Sequence, residues 1–306
     1  MGTTYEVKVG AWPPGVDRTE LAQTIAAEVA AVDATMSNYR PDSELSRFNA
    51  AGAGTLLRLS EPLFHVLEAS QRVARESGGA FDVTISPLVD AYGFGPGTAT
   101  DDPAERARLR DLVDYQQLEL VAPDGVRKAA AGVACTLSAV AKGYAVDRVA
   151  ERLEARGVAN YMVEIGGEVR VAGRRADGSR WRLGIERPAA DALAAPRVQR
   201  TLEIDAGALA TSGDYRNYRE VDGRRVSHTL DPRTGAPITH TLASVSLVHR
   251  HAMYADAYAT ALNVLGPDAG MEMAERLGLA ALFLVRRGDR FEEKMSSAFT
   301  ALVEAR

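Results

Sequence analysis

"NYMVEIGGEVRVAG", residues 160–173, sets a pair of glycines between two short runs that carry valine and isoleucine. It reads as two strands joined at Gly166–Gly167, and so short a joint favours antiparallel pairing. Further strand-like runs follow in "RWRLGIE" (180–186), "QRTLEID" (199–205), "ASVSLV" (243–248) and "ALFLVRR" (281–287). Strands outnumber helices in this second half, which argues for an α+β protein rather than a doubly wound parallel sheet.

Upstream, "TYEVKVG" (4–10) alternates as a strand does, "WPPG" (12–15) breaks the chain, and Asp17 with Glu20 forms a capping box. Leu21, Ile25, Val29, Val32 and Met36 then recur on one face, predicting a helix over 18–36. A second helix runs from about Ser60, with Pro62 in its first turn, to the stop at Gly78–Gly79. "AGVACTL" (131–137) reads as a strand, and Ser138 as the cap of a third helix that ends at Gly157. There is no internal repeat and no low-complexity linker, so one unit spanning 1–306 is expected, a compact body of two intimately joined lobes.

Of 306 residues, 46% are hydrophobic and 25% charged, the balance of a globular chain with a sizeable core. Net charge is −5 and the basic residues are scattered, which argues against a nucleic-acid backbone or a membrane surface as partner. No window approaches the roughly 20 apolar residues that span a bilayer, so no transmembrane segment is expected. The single cysteine, Cys135, reads as a buried, inert thiol. "GFGPGT" (93–98) fails as a dinucleotide fingerprint because of Pro96 and the lack of a following apolar helix. The five histidines lack zinc-ligand spacing.

Three stretches hold polar groups in apolar or glycine-rich surroundings. "TSGDYRNY" (211–218) reads as a loop turn at Ser212–Gly213. "VSHTLDPRTGAPI" (226–238) brings His228 off the end of a strand into a double turn, where a histidine can serve as a general base near neutral pH. "YADAYATAL" (254–262) sets Asp256 and Thr260 one helical turn apart on one face. Either this is a solvated side on which Thr bonds back to its own helix, or the two oxygens face a hard cation, Mg²⁺ or Ca²⁺.

Taken in order, "MGTTYEVKV" (1–9), "MSNYRPDSELSRFN" (36–49), "GGAFDVTISPLVDAYGFGP" (78–96), "LSAVAKGYAVD" (137–147), "VEIGGEVRVAG" (163–173), "ATSGDYRNY" (210–218), "SHTLDPRTGAPI" (227–238) and "YADAYATALNVLG" (254–266) resemble the ApbE family of FAD:protein FMN transferases. The resemblance covers almost the whole chain. It implies a T-fold-like α+β core of antiparallel sheets with packed helices, with FAD in the cleft between two lobes. The activity it implies is Mg²⁺-dependent: the pyrophosphate of FAD is split and FMN is attached to a Thr or Ser hydroxyl of an acceptor flavoprotein, releasing AMP. It carries a metal site onto Asp256, Thr260 and the carbonyls of Ala139 and Ala259. FAD contacts fall on Met1, Tyr39, Ala80, Phe81, Asp82, Thr136, Lys142 and Thr229, with Tyr39 stacking on the flavin. His228 would take the hydroxyl proton, with Asp256 orienting the nucleophile. Thr136 stands where the family has an Asp, and Ser138 where it has a Gly. That departure leaves two alternatives: an FAD pyrophosphatase that uses water, and a non-enzymatic FAD-binding protein. With Met1 at the first motif, an exported domain is expected, periplasmic or held by a leader absent from this sequence, the cytoplasm being the other possibility.

Overall fold

The computed structural model describes residues 2–188, 197–213, 218–221, 224–288 and 290–304. The chain divides into two compact units, one of residues 1–30, 142–216 and 240–306, the other of residues 31–141 and 217–239. The helix Arg18–Met36 begins in the first and ends in the second. It opens on Asp17, whose Oδ1 accepts from the amides of Thr19 (2.7 Å) and Glu20 (2.9 Å), as the capping residues foretell.

The first unit is built on an antiparallel sheet of seven strands. In spatial order they are Tyr5–Val9, Tyr161–Ile165, Glu168–Ala172, Ala206–Gly213, Leu242–His249, Ala280–Arg287 and Arg290–Met295. Gly166 and Gly167 have φ of 61° and 102°, the left-handed pair that a two-residue hairpin turn demands. Side chains alternate across the sheet. On one face, Leu209, Leu282 and Leu284 pack with Trp181, Leu183, Ile185, Leu202 and Ile204 of the hairpin Trp181–Arg187 and Arg197–Ile204. The helix Ala252–Leu265 lies on the strands Ala206–Gly213 and Leu242–His249. It is buried on nearly every side, including Ala255, Ala257, Ala259 and Ala261, and these small side chains let its backbone approach the sheet.

In the second unit the helix Glu61–Glu76 buries Leu63, Val66, Leu67 and Val73, all fully enclosed. A small sheet orders Leu57–Arg58, Gly125–Lys128 and Leu118–Val121. The predicted strand over 131–137 is not there: apart from one bridge between Ala134 and Ile85, the segment is irregular. The Asn49 side chain explains this. Its Nδ2 donates to the Cys135 carbonyl and its Oδ1 accepts from the Cys135 amide, both at 2.8 Å, so one amide side chain does the work of a neighbouring strand. Cys135 itself is fully buried, and burial pushes its thiol up.

Two other expectations are corrected. Ser212 and Gly213 are not a loop turn; they end the central strand Ala206–Gly213, where register with Val245 and Ser244 holds them. Ser138 does not cap the third helix, which starts three residues later and runs Ala141–Ala155; its hydroxyl is engaged by that of Thr136 at 2.8 Å.

Within the first unit, the helices Ala141–Ala155 and Ala252–Leu265 meet at Gly143. A Cβ there would lie 2.3 Å from the Ala252 carbonyl oxygen, a backbone atom that cannot step aside. We expect Gly143→Ala to destabilise the protein by about 1–3 kcal/mol through overpacking, measured as a lowered urea midpoint; an unchanged midpoint would show that the two helices part easily.

Candidate functional site

The first amides of a helix have no carbonyl partner within it and must find one elsewhere. Here the two helices that meet at Gly143 supply each other. Asp147, on Ala141–Ala155, accepts from the amides of Ala252 (Oδ1, 3.0 Å) and Met253 (Oδ2, 2.9 Å), which open the other helix. Asp256, on Ala252–Leu265, accepts from the amide of Gly143 through Oδ2 at 3.1 Å. Each carboxylate sits at the positive end of the opposite helix. Arg170 completes the Asp147 side, with Nη1 2.8 Å from Oδ1.

This reciprocal capping brings Lys142 beside Asp256. The Lys142 Nζ lies 3.5 Å from Asp256 Oδ2 and 2.9 Å from Glu168 Oε1, and the two acidic side chains are only 7% and 4% exposed. Burial first, and the neighbouring Asp256 second, push the Glu168 carboxyl up to about 8, outweighing the ammonium beside it. Burial works against the Lys142 charge, but Asp256 and Glu168 together hold its pKa above the ordinary lysine value. Glu168 Oε2 is buried and has no hydrogen-bond partner among the described residues, an orphaned acceptor that ordinarily signals a missing donor or cation.

One turn beyond Asp256 on the same helix come Ala259, fully buried, and Thr260, half-buried. A carboxylate, a hydroxyl and a carbonyl with a second lone pair are hard oxygen donors, and across Lys142 from Asp256 the orphaned Glu168 oxygen is a further buried one. The residues therefore fit a small divalent cation completed by water or phosphate. Ala139, the fourth predicted ligand, belongs to the second unit, half-buried in the turn that precedes Ala141–Ala155.

The second unit carries the remaining predicted residues. Tyr39 is 65% exposed, so it does not cover the core; its hydroxyl donates to the Phe94 carbonyl at 3.2 Å, which steadies the ring in the open. The Phe94 ring stands edge-on to His228, centroids 6.3 Å apart at 72°. Tyr39 and His228 are thus joined through one residue. Thr229 follows His228, its amide donating to Ser227 Oγ at 3.1 Å. Ala80, Phe81 and Asp82 are buried, and Asp82 Oδ1 accepts from the Thr84 amide (2.8 Å) and hydroxyl (2.7 Å), so this run offers a ligand backbone rather than free side chains. Burial raises the Asp82 carboxyl. Thr136 is buried, its amide donating to Val83 O at 2.8 Å. Met1 lies outside the described residues.

Three residues of these groups were missed in the sequence: Glu168, Asp147 and Phe94. Asp147 and Gly143 lie one turn apart on an otherwise apolar stripe, and Glu168 follows directly on the Gly–Gly turn; both were visible as acids in apolar company. Phe94 gave no such signal.

The ApbE family profile matches residues 1–283. The FAD:protein FMN transferase of Vibrio cholerae serotype O1 is 40% identical over 304 residues, 98% of this chain and 89% of that protein. That of Haemophilus influenzae is 38% identical over 316 residues, 100% of this chain and 90% of that protein. Among solved structures, flavin transferase ApbE from Vibrio cholerae superposes with a TM-score of 0.90 at 38% identity, covering 98% of this chain and 96% of that one. Apo flavinyl transferase ApbE from Pseudomonas stutzeri gives 0.89 at 40%, covering 99% and 94%. On sequence and on fold alike, the chain belongs to the ApbE family.

Proposed function

We propose that this protein is an FAD:protein FMN transferase that moves the FMN half of FAD onto a Thr or Ser hydroxyl of an acceptor flavoprotein and releases AMP. The observation that carries the reading is the buried pair Asp256 and Glu168 sharing one ammonium, with a Glu168 oxygen left unpartnered, Asp256 lying on the helix that also carries Thr260. Such a site suits a diphosphate held through a divalent cation. Magnesium, when bound at Asp256, Thr260 and the carbonyl of Ala259, would neutralise charge on the diphosphate.

The chain's own groups divide the remaining work. Lys142 offers its ammonium to the diphosphate. Tyr39 offers an exposed, tethered ring to the isoalloxazine. The target hydroxyl oxygen attacks the FMN phosphorus, its proton passes to His228, and the bond to the AMP oxygen breaks, so atoms and charge balance. Phosphoryl transfer of this kind depends mainly on positioning, which the mutual capping of two helices favours.

A second reading, hydrolysis of FAD to FMN and AMP, is motivated by Thr136. Its hydroxyl is tied to Ser138, and it supplies no charge where the family has an acid. Free FMN formed at a rate indifferent to added acceptor would favour it.

The following outcomes test the proposal. Incubated with FAD, Mg²⁺ and a candidate acceptor, the native chain should add FMN to a Thr or Ser seen by mass spectrometry. Asp256→Ala should lose about 10²-fold or more of that activity, and His228→Ala about 10²-fold to 10⁴-fold. Tyr39→Ala should raise the KM for FAD by about two- to tenfold with a smaller change in kcat. A further outcome concerns pH. Burial first and Asp256 second push the folded Glu168 carboxyl up to about 8, against the Lys142 ammonium, from an ordinary value of 4.5 in the unfolded chain. Its contribution to stability is therefore complete below about 4.5 and is lost as pH rises toward about 8. Saturating Mg²⁺ beside Asp256 should lower the Glu168 pKa and flatten this decline in thermal melts; an unchanged slope would speak against a cation there.

A further inference from the structure

The contact between Lys142 and Asp256 has a difficulty built into it: an ammonium 3.5 Å from the carboxylate that is to hold a dication repels that dication. Something must keep the two apart. Glu168 is placed for this. It opens the strand Glu168–Ala172 directly after the Gly166–Gly167 turn, and the turn is fastened on three sides. The Gly166 amide donates to Thr4 O at 3.2 Å and the Gly167 amide to Glu164 Oε1 at 2.6 Å. A Cβ on Gly166 would lie 3.2 Å from Lys142 Cδ and 2.9 Å from Thr3 Oγ1, so the lysine stem runs directly over the turn. The shorter of the two contacts made by Nζ, 2.9 Å, goes to Glu168, and the longer to Asp256. The second Glu168 oxygen, buried and unpartnered, is a further acceptor into which the ammonium can move.

We infer that Glu168 is a positioning residue that draws the Lys142 ammonium off Asp256, so that in the substrate-free protein lysine and divalent cation compete for Asp256 and Glu168 decides the balance. The inference rests on the cation site proposed above. It makes Lys142 two things in turn: a counterion to Asp256 while the site waits, and a partner for the diphosphate once substrate arrives. Cation and FAD must then strengthen each other's binding, and by equal factors.

The test is Mn²⁺ affinity by calorimetry without FAD, in the native chain and five variants. Lys142→Met should bind Mn²⁺ roughly tenfold more tightly, because the competitor is gone. Glu168→Met, which keeps the volume but leaves the ammonium only Asp256, should bind roughly tenfold more weakly, and Glu168→Gln, which retains one acceptor oxygen, should fall between it and the native chain. The double variant K142M/E168M should match K142M within about twofold. If Glu168 acted only through its own charge or as a ligand, its loss would weaken binding just as much without the lysine, and that result overturns the inference. So does a K142M variant with unaltered affinity, an outcome that can be read even if E168M fails to fold. Asp256→Ala separates the two levels: native Mn²⁺ affinity in that variant removes the cation site itself, whereas lost affinity with E168M unchanged removes only the role given to Glu168.

Discussion

A helix that begins inside a protein leaves amide groups unsatisfied, and the cost of burying each without a partner is about 1–3 kcal/mol. This protein meets that constraint twice with one arrangement. Asp147 takes the first amides of Ala252–Leu265, and Asp256 takes the amide of Gly143 in return. Because the exchange is mutual, neither helix can slide or turn without unseating both caps. The approach it requires leaves no room for a side chain at residue 143. Lys142 and Asp256 are adjacent for the same reason, so the candidate chemistry is a by-product of how two helix ends are satisfied.

That origin also explains the alanine-rich composition of residues 252–261. Chemistry on a phosphate needs oxygen donors close to a backbone, and large side chains would hold both the sheet and the ligand away. Ala255, Ala257, Ala259 and Ala261 keep the helix tight to its surroundings, while Asp256 stays 5% exposed and Thr260 half-buried.

Much of the architecture was legible because it depends on local period. The spacing of Leu21, Ile25, Val32 and Met36 foretells a helix that runs Arg18–Met36, and the Gly166–Gly167 joint foretells antiparallel strands. The misreadings have a common cause, a partner distant in sequence. Residues 131–137 look like a strand, yet their hydrogen bonds go to the Asn49 side chain, 86 residues away. Ser212 and Gly213 look like a turn, yet neighbouring strands claim them. Among the candidate residues, Asp256 and Thr260 stand out in the sequence by their spacing on one helix, and His228 by its loop. Glu168 and Asp147 act on groups that only folding brings near, 26 and 105 residues from the partners they touch. No window of sequence contains those pairs.

The order in which the sheet is threaded bears on how the chain is made. Its first strand, Tyr5–Val9, pairs with Tyr161–Ile165, so on the ribosome some 150 residues must be synthesised before that strand meets its neighbour. The central strand Ala206–Gly213 and the pair Leu242–His249 and Ala280–Arg287 come later still. Residues 31–141 form the bulk of the other unit and emerge inside this interval. A nascent chain interrupted near residue 141 would thus carry an unpaired edge without the ladder that covers it, a form suited to chaperones and prone to aggregation, and truncations from either end should be poorer expression targets than the intact sequence.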